Sequence, residues 1–209
     1  MPSSGDFDLS QPALTPQDIL FLYGPPFTPD TTTIVSGAAS GIGQATAVAL
    51  ASNGLTVIGA DVDEEGLDET VDLAARVDAG GEVRPVPTDL TDDSDVEAMV
   101  EVAADAGTLR YVANVAGMQH IASLPEFPME KYDLLLDIML RAPFLTAKLA
   151  MPHIRESEDG VGAIGNMSSV HGHYATQDKA AYITAKHGLA GLTRAIAAEG
   201  AGTLRGFSV

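Results

Sequence analysis

Tyr182 and Lys186 stand four residues apart in the Ala-rich run D-K-A-A-Y-I-T-A-K. On a helix that spacing puts both side chains on one face, one turn apart. A nearby cation favours the phenolate, so a tyrosine whose ordinary pKa is about 10 becomes a usable acid or base near neutral pH. Ser169 lies thirteen residues before Tyr182, at what reads as the end of a strand. If the chain turns back between them, its hydroxyl faces the phenol across a substrate oxygen. The same spacing also occurs in ordinary amphipathic helices, where tyrosine packs and lysine snorkels, so the trio acquires chemical meaning only beside a cofactor site.

The run S-G-A-A-S-G-I-G, Ser36 to Gly43, offers such a site between an apolar strand and a helix. Gly37 permits a tight turn, Ser40 and Gly41 let backbone approach a phosphate, and Ile42 and Gly43 open a helix that packs closely on the sheet. The unpaired N–H groups of that helix start suit a pyrophosphate. Asp61 follows Gly43 by eighteen residues, where a second strand ends. A carboxylate there accepts from both hydroxyls of an adenosine ribose and repels a 2′-phosphate, which predicts NAD rather than NADP. The competing reading is that Asp61, with Asp63, Glu64 and Glu65, caps the next helix. Asp89 and Leu90 after a third strand, then Asn114, Ala116 and Gly117 after a fourth, extend the cleft along the strand ends.

The elements that must position these residues alternate in the pattern of a parallel sheet. Strands are predicted at 32–36, 55–60, 83–87, 109–115 and 162–167. Helices are predicted at 42–52, 64–79, 92–106 with Thr91 as N-cap, 129–154 with a bend near Pro143, and 179–199. The fold class is α/β, a Rossmann-type doubly wound parallel sheet with helices on both faces. Residues 1–30, rich in Pro, Ser and Asp around the apolar patch at 19–23, read as an N-terminal extension to a cofactor-binding domain at 31–209.

With 209 residues the chain suits one domain, and with no cysteine it has neither disulfides nor a thiolate metal site. His120, His153, His173 and His187 form no recognisable metal set, so no metal is expected. A formal charge of −18 argues against nucleic acid and anionic membrane as partners. There is no basic leader and no run of eighteen apolar residues, so a cytoplasmic location in a reducing compartment is the expectation.

From about Thr31 onward the chain resembles the short-chain dehydrogenases/reductases. S-G-A-A-S-G-I-G matches the family's T-G-x-x-x-G-x-G, T-D-L its adenine-site aspartate, and N-V-A-G its N-N-A-G; Ser169, Tyr182 and Lys186 match its catalytic trio. The resemblance implies that Tyr182 exchanges the hydroxyl proton, Ser169 holds the substrate oxygen, and Lys186 binds the nicotinamide ribose and tunes the tyrosine. Within the family, G-M-Q-H-I-A, S-V-H-G and A-K-H-G-L-A-G-L-T are similar to 3-hydroxybutyrate dehydrogenases. That similarity implies a small hydroxy acid or ketone substrate, such as (R)-3-hydroxybutyrate, whose carboxylate Gln119, His171 and Lys179 would hold. It also implies a homo-oligomer, dimer or tetramer, associating through the two long helices.

Three departures from the pattern stand out. Met139 occupies a position where the family has an asparagine in a water-linked proton path, and Val115 replaces the second asparagine of N-N-A-G. The sequence ends at Val209, within a sixth strand, before the segments that in the family form a substrate lid and a seventh strand. Two readings therefore stay open: an NAD-dependent dehydrogenase, or a catalytically impaired or non-catalytic dinucleotide-binding or interaction protein of the same fold.

Overall fold

The computed structural model describes residues 15–22, 27–77, 80–157, 160–201 and 204–208. Residues 1–14 and 23–26 of the expected extension, and the last two residues of the helix predicted at 64–79, lie outside the described residues. Six parallel strands form one sheet: β1 Thr31–Ser36, β2 Thr56–Asp61, β3 Glu82–Pro87, β4 Thr108–Asn114, β5 Gly162–Asn166 and β6 Leu204–Ser208. Their order across the sheet is β3-β2-β1-β4-β5-β6. The winding therefore reverses between β1 and β4, and the crevice at that reversal is where open α/β sheets bind ligands.

The helices are α1 Gly41–Ser52, α2 Glu64–Val77, α3 Asp93–Asp105, α4 Met129–Leu136, α5 Ala142–Glu156 and α6 Ala180–Glu199. On one face, α1 and α2 cover β1, β2 and β3; on the other, α3, α5 and α6 cover the sheet through to β6. The larger core lies on the second face, where Ile34, Val112 and Ile164 of the strands meet Met99, Ile154 and Ile196 of the helices. Strand alternation explains the division. In β4 and β5, Val112 and Ile164 are buried on that side, while Tyr111, Ala113, Ala163 and Gly165 point to the other and stay half-exposed. Above these four residues lies an apolar hollow of about 260 Å³, rimmed by Thr46 and Leu50 of α1. Among the described residues no helix fills it.

Two local expectations need correction. Asp92, not Thr91, caps α3, because its carboxylate accepts the Ser94 N–H at 2.8 Å. The predicted helix 129–154 is divided by a π turn, Asp137–Arg141, which ends two residues before Pro143. Pro143 has no N–H to give to the carbonyl four residues earlier, and the Ala142 N–H bonds Asp137 instead, so the ladder widens by one residue. Arg141 in this turn grips Asp93 of α3 through both guanidinium nitrogens, which holds the Asp93 carboxyl below the usual range.

The N-terminal arm is pinned at the end of α1. Asn53 accepts the Leu22 N–H at 2.5 Å and donates to the Leu20 carbonyl at 3.0 Å. Ile19 is buried, whereas Leu20 and Leu22 remain exposed. No described helix is long and apolar enough to cross a membrane.

Candidate active site

A cleft of about 470 Å³ runs along the tips of β1, β2, β3 and β4. Its floor is the glycine-rich turn. Gly37 adopts φ +73°, and a methyl group on it would come within 2.8 Å of the Ala116 backbone. Gly41 adopts φ +55° and has nothing within 4 Å of where a side chain would start, so its backbone faces open space. Ser40 makes no side-chain cap at the start of α1, which leaves the first-turn N–H groups to the cleft. The turn is held from behind by buried hydrogen bonds. Gln44 donates to the Ala39 carbonyl and to Thr70, whose hydroxyl donates to the Ala38 carbonyl at 2.8 Å. Ser36 accepts the N–H groups of Val115 and Ala116 at 3.2 and 3.3 Å, tying this turn to the loop after β4. A nicotinamide dinucleotide fits this donor set and this small-residue cradle.

Gly43 fixes the turn most tightly, since a methyl group there would lie 1.9 Å from the Gly37 carbonyl oxygen. Neither backbone segment can give way cheaply. Gly43→Ala is expected to lower stability by about 3 kcal/mol, read as a lower urea midpoint with an unchanged slope.

The cleft gathers Gly37, Ser40, Gly41, Ile42 and Gly43 from the turn, Asp61 from β2, Asp89 and Leu90 after β3, and Ala116 and Gly117 after β4. Asp61 accepts the backbone N–H groups of Ala39 and Asp63, each at 3.2 Å. It does not cap α2. Asp63 does so, accepting from Gly66. Asp89 is organised by Thr91, whose N–H and hydroxyl both donate to one of its oxygens.

Asn114 departs from expectation. Its side chain is buried and donates to Asn166 at 2.8 Å, and Asn166 donates on to Thr193 of α6 at 2.9 Å. It fastens β4, β5 and α6 together below the cleft rather than lining it.

Of the expected reaction trio, Lys186 reaches Gly117 at the edge of the cleft, Tyr182 adjoins Lys186, and Ser169 is connected to Tyr182 through His171. Lys186 is 3 % exposed, sits 5.6 Å from the Tyr182 ring centroid and donates to the Met167 carbonyl at 2.6 Å. Burial pushes its ammonium down to about 8. Ser169 lies after β5 as the cap of a short 3₁₀ turn, Val170–Gly172, and its hydroxyl accepts the His171 N–H at 3.2 Å. His171 stands between Ser169 and Tyr182. Its Nδ1 is 3.3 Å from the Ser169 oxygen and its ring meets the Tyr182 ring edge-on at 5.8 Å. Tyr182, half-buried, packs against the cluster of Leu135, Met139, Ala181 and Ala185. Met139 is 1 % exposed, and a methyl group placed on Gly117 would lie 3.4 Å from its sulfur and 3.8 Å from Lys186 Nζ.

Gln119 and Lys179 sit on two neighbouring loops. Gln119 is exposed on the loop after β4, and Lys179 precedes α6 as its N-cap. Their loops are joined by the Ala122 N–H, which donates to the Asp178 carbonyl at 3.0 Å. Among the described residues, neither is hydrogen-bonded to Ser169, His171 or Tyr182. Sequence reasoning did not foresee the Met167 carbonyl as partner of Lys186, nor Thr176, whose hydroxyl is 3.1 Å from His171 Nε2. No motif marks either contact; only the fold of the loop after β5 creates them.

The family model for short chain dehydrogenases matches residues 31–204. The D-beta-hydroxybutyrate dehydrogenase of Cupriavidus necator is 35 % identical over 176 residues, which cover 82 % of this chain and 66 % of that protein. Among solved structures, carveol dehydrogenase from Mycobacterium avium in complex with NAD superposes with TM-score 0.79 at 29 % identity, covering 85 % of this chain and 69 % of that one. A Beutenbergia cavernae structure carrying NADP at low occupancy gives TM-score 0.79 and 29 % identity, covering 88 % and 73 %. The chain thus spans slightly less than two thirds of the length of the Cupriavidus protein. On the family match, the strand order and the glycine-rich turn together, the chain belongs to the short-chain dehydrogenase family.

Proposed function

We propose that this protein is an NAD-dependent oxidoreductase that interconverts a secondary alcohol and its ketone, with a small hydroxy acid such as (R)-3-hydroxybutyrate as substrate. The observation that supports the reading is a buried Lys186 beside the Tyr182 ring, with His171 in contact with both Tyr182 and Ser169. A dinucleotide held by the glycine turn and Asp61 supplies the hydride acceptor. Tyr182 exchanges the proton of the substrate hydroxyl, and Ser169 holds the substrate oxygen in place for that exchange. Lys186 supplies positive charge beside the ring on which negative charge grows as the proton leaves. Its burial strengthens that interaction relative to water. Gln119 and Lys179 would supply a neutral donor and a cation, the pair a carboxylate needs. His171 joins them at a carboxylate only by giving up Ser169 or Thr176, because both its ring nitrogens are engaged.

The test is NADH formation from NAD with a panel of 3-hydroxy acids. No NADH with any of them would remove the substrate assignment. In the same assay, Asp61→Ser is expected to lower the preference for NAD over NADP at least about tenfold, because a carboxylate near a 2′-phosphate repels it strongly in a partly buried site.

One observation favours a second reading. A thioether cannot relay a proton, and Met139 fills the space beside Lys186 and Gly117. A protein that binds the dinucleotide but turns over slowly, or not at all, would show NADH binding by calorimetry without NADH formation.

A further inference from the structure

The loop after β5 holds a chain of hydrogen bonds that neither the family match nor the glycine turn accounts for. The Ser169 oxygen receives the His171 backbone N–H at 3.2 Å and lies 3.3 Å from His171 Nδ1. On the far side of the ring, Nε2 lies 3.1 Å from the Thr176 hydroxyl. A neutral imidazole has one N–H and one lone pair, so these two ring contacts are coupled: whichever nitrogen donates, the other must accept. The edge-on contact with Tyr182, at 79° between ring planes, fixes the orientation of the ring and leaves the tautomer as the remaining variable.

We propose that Thr176 is a positioning residue that donates its hydroxyl proton to His171 Nε2, keeps the imidazole proton on Nδ1, and so turns the Ser169 hydroxyl into a donor toward the substrate oxygen. A serine hydroxyl has one proton and two acceptor sites. With Nδ1–H and the backbone N–H filling both acceptor sites, the proton of Ser169 is the one capacity left, and it suits a carbonyl or an oxygen gaining negative charge. In the opposite tautomer Ser169 spends its proton on Nδ1. It then presents a lone pair, which receives the O–H of an alcohol but not the oxygen of a ketone. The proposal rests on the reading of Ser169, Tyr182 and Lys186 as the reaction centre, whereas its first test does not.

That test is the tautomer itself. With ¹⁵N-labelled histidine and the rings neutral, long-range proton–nitrogen correlation spectra are expected to show His171 protonated at Nδ1, the signal being assigned by its disappearance in His171→Gln. Thr176 is exposed, so Thr176→Val disturbs no packed core. It is expected to move the population toward the Nε2–H form, and Thr176→Ser to restore it. An Nε2–H tautomer in the unaltered protein, or a pattern unchanged in Thr176→Val, overturns the proposal whether or not any hydroxy acid is turned over. In the kinetic arm, Thr176→Val is expected to raise KM for the ketone about tenfold, the loss of one hydrogen bond, and KM for the alcohol less than about twofold. An equal rise in both would mean that Thr176 acts on the loop as a whole and not on the direction of the Ser169 hydroxyl.

Discussion

Tyr182→Phe is expected to reduce kcat for NAD-linked alcohol oxidation by about 10²–10⁴-fold, the range set by loss of a positioned proton-exchanging group. Phenylalanine keeps the half-buried ring that packs against the cluster of Leu135, Met139, Ala181 and Ala185, so the substitution deletes one oxygen and leaves the packing in place. The edge-on contact of the ring with His171 and its proximity to the Lys186 ammonium both survive. Dinucleotide affinity should therefore change little, because the glycine turn and Asp61 are untouched. Calorimetric titration with NADH alongside the rate assay separates the two effects. A variant that retains more than a tenth of the parent rate would show that the proton leaves by another route, and Tyr182 would have to be given up as the exchanging group.

Lys186→Met is expected to have opposite effects on activity and stability. Activity should fall by about 10²-fold or more, since the charge beside the phenol is gone. Stability should rise. Burial lowers the Lys186 pKa from 10.5 to about 8, so below about pH 8 folding places a charged ammonium out of water at a cost on the order of 3 kcal/mol. The hydrogen bond to the Met167 carbonyl is lost with the amine, which returns about 1 kcal/mol and leaves a net gain near 2 kcal/mol at neutral pH. The pH dependence has a definite sign. Between about pH 8 and 10.5 the folded chain has released the Lys186 proton while the unfolded chain still holds it, so the parent protein gains stability as pH rises through that window. The advantage of Lys186→Met should therefore be largest below pH 8 and shrink towards pH 10.5. Urea midpoints at three pH values test this, and an advantage that grows with pH would contradict the burial argument.

What the sequence made legible was local in origin. The glycine turn could be read because Gly37 and Gly41 meet backbone demands that few other residues meet, and those demands appear as positive φ in the fold. Tyr182 and Lys186 share a face because four residues on a helix guarantee it. Asn114 misled because its type and place after a strand suit a cleft, whereas its partners Asn166 and Thr193 lie 52 and 27 residues along in successive steps that only the sheet brings together. Thr91, the expected cap of α3, gives its N–H and hydroxyl to Asp89, and the cap falls to Asp92. The pairing of His171 with Thr176 is close in sequence but depends on a loop without periodic structure, so no pattern announced it. The anchoring of the arm by Asn53 was hidden for a different reason, being a long-range contact between the end of α1 and an irregular segment.

Among the described residues no helix fills the hollow over β4 and β5, so any association between copies of this molecule through it is expected to depend on ionic strength, which sedimentation at low and high salt would read. Each copy carries a formal charge of −18, which is expected to hold neighbours apart in dilute buffer. Added salt shortens the reach of that repulsion to about 10 Å at 0.1 M, and strongly hydrated anions such as sulfate also favour burial of apolar surface. Both changes act in the same direction, so purification in low salt and crystallisation from sulfate are opposite regimes for this protein.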